Sequence, residues 1–274
     1  ILPPMTFEEA LETTRIHSIA GRMQPGSGLM VLRPFCAPHH SASVASLIGG
    51  GSNARPGEVS LAHNGVLFLD ELPEFSRPAL EALRQPLEDG IVSVTRVQNQ
   101  AQYQASFMFI ASMNPCPCGY YGSKTKKCRC SAHEIRRYLD RVSGPLLDRI
   151  DIQIEVDAVP VQEINQAAPA ESSAQVRERV SKARKLQQER YRQEGIHCNA
   201  QLDARLSKKY CELDAASTQL LHLAVERMGM SMRAYGRVLK VARTLADLRG
   251  SEKIESPDVA EAIQYRSLDG KYWR

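Results

Sequence analysis

Gly65-Val66-Leu67-Phe68-Leu69-Asp70-Glu71 is the stretch whose reading decides the fold. Four consecutive apolar residues without alternation predict a strand buried on both faces, as in a parallel sheet. Side chains at the carboxyl end of such a strand face the crevice where ligands bind. Asp70 there can hold Mg²⁺, directly or through water, and Glu71 can polarise a water for attack on phosphorus. Phosphoryl transfer needs both roles. By themselves the two acids also suit the start of a following helix, whose dipole stabilises negative charge.

Downstream, Ser76 caps a predicted helix that runs to about Gly90, with Leu80, Leu83 and Leu87 on one face and a kink at Pro86. Residues 91–111 read as a hairpin followed by a buried strand: Ile91 to Val97, a turn at Gln98-Asn99-Gln100, then Tyr103 to Ala111. Residues 150–156 alternate apolar and polar, which predicts another strand. Upstream, Thr6 and Glu9 form a capping box for a helix over 6–20 that Gly21 closes. Residues 21–60 are loop-rich, with Gly26-Ser27-Gly28 and Gly49-Gly50-Gly51. After Pro160 a small-residue linker over 167–174 precedes four helices, at about 175–194, 207–228, 231–249 and 256–265. Gly195, Gly229 and Gly250 supply stops, and Ser231 and Ser256 supply starts. The expected fold is therefore an α/β domain with a parallel sheet over residues 1–160, followed by an all-α lid over 161–274.

The chain has 274 residues, 43% of them hydrophobic, enough to bury a core. No apolar run approaches the length of a membrane span, and residues 1–20 do not resemble a targeting peptide, so the expected location is cytoplasmic and no membrane partner is expected. The net charge of +4 is uneven: residues 1–160 carry −1 and residues 161–274 carry +5. Within 123–150, Lys124, Lys126, Lys127, Arg129, Arg136, Arg137, Arg141 and Arg149 outnumber Glu134, Asp140 and Asp148. Such a patch can attract a polyanion, or serve only as a solvated face.

Three further polar residues are candidates. Asn114 follows the apolar run 107–111 by three residues and could orient a water or touch a terminal phosphate; it also suits a turn before Pro115. Arg149, in Gly144–Asp151, could reach a phosphate in a neighbouring subunit, because its guanidinium is always charged and forks onto phosphate oxygens. Its alternative is a structural pair with Asp148 or Asp151. Arg233 opens a lid helix and could sense nucleotide across a cleft, or remain a solvated first-turn residue.

Of the seven cysteines, four cluster as Cys116-x-Cys118 and Cys128-x-Cys130. An odd total without a secretory signal argues against a disulfide framework. Four soft ligands within fifteen positions suit tetrahedral Zn²⁺, with reduced thiols and an iron–sulfur cluster as the alternatives. Cys36, Cys198 and Cys211 read as small buried or half-buried residues. His39 and His40 read as polar loop residues rather than added ligands.

Taken in order, these strings resemble the magnesium-chelatase-like branch of the AAA+ ATPases, the ComM/YifB family. The matching stretches are Arg33–His40, Gly65–Phe75, Asn114–Gly119, Gly144–Asp151 and Ser231–Leu248. The resemblance implies a Walker B pair at Asp70 (Mg²⁺) and Glu71 (water activation), a first sensor at Asn114, an arginine finger at Arg149 and a second sensor at Arg233. It likewise implies pore-lining insertions at 34–58 and 91–107. It implies ATP with Mg²⁺ as cofactors, self-association into a ring, expected to be a hexamer, and DNA, branched or single-stranded, as partner. The implied activity is ATP-driven translocation on branched DNA in recombination and natural transformation. The alternatives are a metal-chelatase motor subunit, or a zinc-stabilised nucleic-acid-binding module without turnover.

The family's phosphate loop is missing: G-x-x-x-x-G-K-[ST] occurs nowhere in the sequence. With Ile1 rather than Met at the start, the chain reads as the later part of a larger ATPase. Its sheet is expected to have a gap, resolved by altered strand order, pairing between chains or disorder at the edge. The chain by itself should bind ATP weakly; micromolar binding in isothermal titration would contradict this.

Overall fold

The computed structural model describes residues 1–50, 54–95, 100–123, 125–156 and 170–268. Two compact units emerge, one of Pro4–Arg149 and one of Ile150–Arg274 with Ile1–Pro3. The expected boundary at 160 and most of the linker over 167–174 lie outside the described residues.

The first unit is α/β. Helix α1 (Phe7–Ile19) starts at the capping box expected of Thr6 and Glu9. The loop-rich region holds only short elements: β1 (Phe35–Cys36), α2 (Val44–Ile48), β2 (Gly49–Gly50), β3 (Arg55–Pro56) and α3 (Glu58–Leu61). Strand β4 (Val66–Leu69) follows, then a 3-10 turn over Leu72–Glu74, α4 (Arg77–Ala82), α5 (Arg84–Asp89), β5 (Ile91–Thr95), β6 (Gln100–Gln104) and β7 (Met108–Ala111). Helices α6 (Ala132–Leu139) and α7 (Gly144–Leu147) complete the unit. β4 is the middle strand of a parallel sheet of order β1-β4-β7, with Leu69 opposite Ala111. Leu67 and Leu69 are fully buried, as their apolar run requires.

The entrance to β4 is pinned by polar contacts. A Cβ on Gly65 would lie 2.0 Å from the Pro34 carbonyl oxygen, so only glycine lets the chains close there. Arg33 donates to Glu9 at 2.8 Å and to the Asn64 carbonyl at 2.7 Å. The buried His63 ring lies 3.2 Å from a Glu12 carboxylate oxygen and accepts the Ser106 N–H, and desolvation lowers its pKa.

Four expectations for residues 76–156 need correction. β7 was expected to be buried on both faces, yet Met108 and Ile110 are 48% and 42% exposed. Among the described residues it pairs with β4 alone, so it is an edge strand, and one sheet face also leaves Phe35 exposed. Residues 150–156 form no strand: alternation suits an extended chain but supplies no partner, and Ile152, Ile154 and Val156 are exposed. This segment is instead tied by Arg266, which donates to the Ile150 carbonyl, and by its Gln153 N–H on the Tyr265 carbonyl. The helix expected over 76–90 is interrupted at Leu83, because Pro86 lacks the N–H that would bond the Ala82 carbonyl and its ring crowds that oxygen. The predicted run 103–111 is two strands, β6 and β7, the first closing the hairpin with β5; most of the expected hairpin turn lies outside the described residues.

The second unit is all-α: α8 (Ser173–Arg190), a 3-10 turn over Asn199–Gln201, α9 (Ala204–Tyr210), α10 (Ala215–Met228), α11 (Met232–Arg249) and α12 (Ser256–Gln264). The single helix expected over 207–228 is two, because the Asp214 side chain accepts the Ser217 N–H and starts a new helix. Leu221, Val238, Ala242, Ala246, Val259 and Ala262 fill the core.

Beside that core Asp247 is almost fully buried. Arg190 forks onto both its oxygens at 2.5 and 2.9 Å, Arg243 donates through Nε at 3.2 Å, and Asn199 donates at 2.8 Å. Removing one member of such a network strands the other charges. Asp247→Ala should lower stability by about 3–5 kcal/mol, read as an earlier urea midpoint with an unchanged slope.

Candidate functional site

Asp70 and Glu71 lie exposed just past the carboxyl end of β4, where the strand order predicts the ligand crevice. Because Leu69 faces Ala111, the next pair in register is Asp70 with Ser112. The Ser112 hydroxyl donates a short hydrogen bond to Asp70 Oδ1. The Glu71 N–H also donates to Oδ1, at 3.0 Å. The backbone continues the lock: Ser112 N–H donates to the Leu69 carbonyl at 3.0 Å, and Leu72 N–H to the Ser112 carbonyl at 2.9 Å. Among the described residues no protein donor reaches Asp70 Oδ2, which suits a carboxylate that takes a cation or its water. Glu71 adopts a left-handed conformation, φ 53°, which a side-chain-bearing residue rarely takes, and this turns its carboxylate out of the strand path. His40 Nδ1 sits 3.5 Å from Glu71 Oε2, with the His40 ring against His39 and the edge of Phe75.

Asn114 is exposed three residues past β7, on the same sheet edge as Asp70 and Glu71. Its backbone N–H donates to the Tyr138 hydroxyl oxygen on α6. Arg149 is in a different setting: its guanidinium is buried, donating to Glu88 and, at 2.6 Å, to the Pro145 carbonyl. Its partners include Glu88 of α5. Arg233 lies exposed in the first turn of α11, in the second unit, after the Ser231 cap. Thus Asp70, Glu71 and Asn114 share one edge, while Arg149 is folded onto α5.

Ser112 and Glu88 were not singled out from the sequence, and His40 was read only as a polar loop residue. Ser112 was legible once β7 ended at Ala111, since parallel register places it opposite Asp70. His40 and Glu88 lie 31 and 61 positions from their partners, and nothing local marks those pairings.

The cysteine cluster assembles as expected. All four sulfurs lie within 4.8 Å of one another. Cys116 Sγ is 3.4 Å from Cys118 and 3.7 Å from Cys128, and Cys118 is 3.6 Å from Cys128. Tetrahedral zinc with bonds of about 2.3 Å sets sulfurs about 3.8 Å apart, whereas a disulfide needs about 2.05 Å. The spacing therefore fits a Cys₄ metal site and excludes paired disulfides. Gly119, at φ 80°, lets the first arm turn, and the Tyr121 N–H donates to the Cys116 sulfur at 3.3 Å. Backbone N–H groups of Arg129 and Tyr120 bring the Cys118 thiol down to about 6, while desolvation pushes Cys130 up to about 12. Four such sulfurs cannot all ionise without a cation to neutralise them. Neither His39 nor His40 joins the cluster; His39 bonds Ser41 instead. Cys36 and Cys211 are buried and Cys198 half-buried, as expected. Purified chain should hold about one equivalent of zinc; Cys116→Ser with Cys128→Ser should abolish it, and a metal content below half an equivalent in the unaltered chain would contradict the assignment.

Comparison with known proteins completes the picture. Residues 1–164 match the family described as magnesium chelatase, subunit ChlI, and residues 170–266 match its C-terminal family. The chain is 46% identical over 269 residues to the competence protein ComM of Haemophilus influenzae, across 98% of this chain and 52% of that protein. It is 43% identical over 270 residues to YifB of Salmonella typhimurium and 42% over 270 residues to YifB of Escherichia coli, each across 98% of this chain and 52% of the relative. The chain thus spans about half the length of the curated relatives it matches. The family-model matches cover most of the chain, and with the identities of 42–46% they show that the chain belongs to the magnesium-chelatase-like AAA+ family, in the branch of ComM and YifB.

Proposed function

We propose that this chain is the hydrolysis-edge and lid portion of a ring-forming, cytoplasmic AAA+ ATPase that couples ATP hydrolysis to movement on DNA. The observation that carries the ATPase reading is the locked Asp70–Glu71 turn at the end of β4, held by Ser112 of β7. Among the described residues no helix is long and apolar enough to cross a membrane.

In this reading Asp70 presents its second carboxylate oxygen to Mg²⁺ or its water, and the ion neutralises phosphate charge when nucleotide is bound. Glu71, turned outward by its left-handed backbone, accepts a proton from the attacking water. Asn114 orients that water or the terminal phosphate from the neighbouring strand end. Arg149 acts on the nucleotide of an adjacent subunit, exchanging Glu88 for phosphate; Arg233 contacts nucleotide from the lid. Cys116, Cys118, Cys128 and Cys130 hold Zn²⁺, which fixes the loop between Asn114 and α6. The hexameric ring and the DNA substrate rest on the relationship to ComM and on the basic segment over 123–150.

A metal-chelatase motor is the second reading, favoured by the family match, and uses the same ATPase edge. The test is ATP hydrolysis by a longer version of the polypeptide that includes a phosphate loop ahead of Ile1. Glu71→Gln should lower kcat by about 10²–10⁴-fold while sparing ATP binding. Stimulation by forked or four-way DNA supports the motor on DNA. Stimulation only by a chelatase partner replaces it, and hydrolysis unchanged by Glu71→Gln removes the proposed role of Glu71.

A further inference from the structure

Outside the Asp70–Glu71 edge, the first unit carries an open groove of about 740 Å³ between residues 73–77 and helix α6. Its walls present Arg77, His133, Arg136, Arg137 and Arg141, against only Glu74 and Asp140. Both acids are engaged: Glu74 pairs with Arg141 at 2.9 Å and Asp140 faces Arg136 at 4.0 Å. Arg77 and Arg137 are exposed and form no ion pair among the described residues. Such a groove attracts anions and pays little desolvation to hold them at the surface.

The arrangement of the cations selects the kind of anion. His133, Arg137 and Arg141 recur at four-residue intervals, so they line one side of α6 and its exit at steps of about 6 Å. Arg77 faces them from the opposite wall. Arg137 and Arg141, about 6 Å apart along that side, with Arg77 across from them, match a chain of phosphates better than a single ion. The buried face of the same helix, Tyr138 and Leu139, holds the row in place. At its other end Cys130 directly precedes the Ser131 cap, whose hydroxyl and backbone engage Glu134, so the metal cluster anchors the helix start. Glu134 is thereby held in the cap by Ser131 and withdrawn from the row.

We infer that the groove between residues 73–77 and α6 binds the phosphodiester backbone of a nucleic acid strand, with Arg77 and Arg137 as its principal phosphate contacts. No base-reading arrangement lines it, so the binding is independent of sequence. This inference rests on the DNA reading above and assigns that contact to a surface that begins just past the Asp70–Glu71 turn.

The experiment is fluorescence anisotropy of a labelled DNA oligonucleotide against the zinc-loaded 274-residue chain, between about 50 and 200 mM salt. Combined Arg77→Glu and Arg137→Glu should weaken binding by about tenfold or more and reduce the slope of log affinity against log salt by about 2. Combined Arg77→Gln and Arg137→Gln should weaken it less, in the same direction, with an unchanged thermal melt. Lys182→Glu, on α8, should leave binding unaltered. If both groove variants bind within about twofold of the unaltered chain, the inference is overturned and the DNA reading stands. Failure of the unaltered chain to bind DNA at low salt would overturn both. If the groove binds inorganic triphosphate, with loss in the same variants, but binds no oligonucleotide, it is a nucleotide-type anion site and the inference falls.

Discussion

The Ser112 hydroxyl on the Asp70 carboxylate joins the ends of β4 and β7, and the arrangement of the acidic edge follows from it. Parallel pairing alone would bring these residues opposite each other. The hydrogen bond, with the backbone bonds from Ser112 to Leu69 and from Leu72 to Ser112, turns that juxtaposition into a fixed corner. The corner sends Glu71 into its left-handed conformation and leaves one oxygen of Asp70 without a protein donor among the described residues. Strain of this kind costs about 1–3 kcal/mol and persists only where surrounding structure enforces it. Here two adjacent strands and the following 3-10 turn supply that enforcement.

A second constraint sits a few residues further on. The segment after β7 must pass from Asn114 into a loop with little regular structure before α6 begins. Four sulfurs at near-tetrahedral spacing give this loop a centre that its polar residues could not supply by packing. Cys116 is fully buried, so the cluster is joined to the unit rather than hung from it. Asn114 and the arginine-bearing α6 are therefore positioned from the same point. Acidic chemistry gathers at one end of the sheet and cationic surface on the helix beyond it, separated by the four-cysteine loop.

Much of this was legible in the residues. The apolar run 66–69 with its two acids, the capping box at Thr6, and the paired cysteines carry their physics locally. The errors have a common origin in partners. Ile150–Val156 has the alternation of a strand, yet a strand exists only with a neighbour to bond, and its amides and carbonyls find residues near the chain's end instead. Met108 and Ile110 read as interior because they are apolar, but β7 has one neighbour and no layer over that face among the described residues. Arg149 read either as a residue that reaches a neighbouring subunit or as a structural pair with a nearby aspartate; the Glu88 partner that the fold adds, sixty-one positions away, was not visible locally. The lid's buried centre at Asp247 was invisible for the same reason, since its partners come from three separate elements.

By itself, the sequence determined the order and type of most elements, the acidic strand end, the four-sulfur ligand set and the absence of a phosphate-loop motif. Each of these is set by side-chain chemistry over a few adjacent positions. Tertiary structure alone decided that Ser112 locks Asp70, that His40 lies beside Glu71, that Arg149 is held inward, and that Arg77 faces α6 across a groove. These depend on residues tens of positions apart, and only the burial of the parallel sheet and the metal-sized cluster brings such residues within bonding distance.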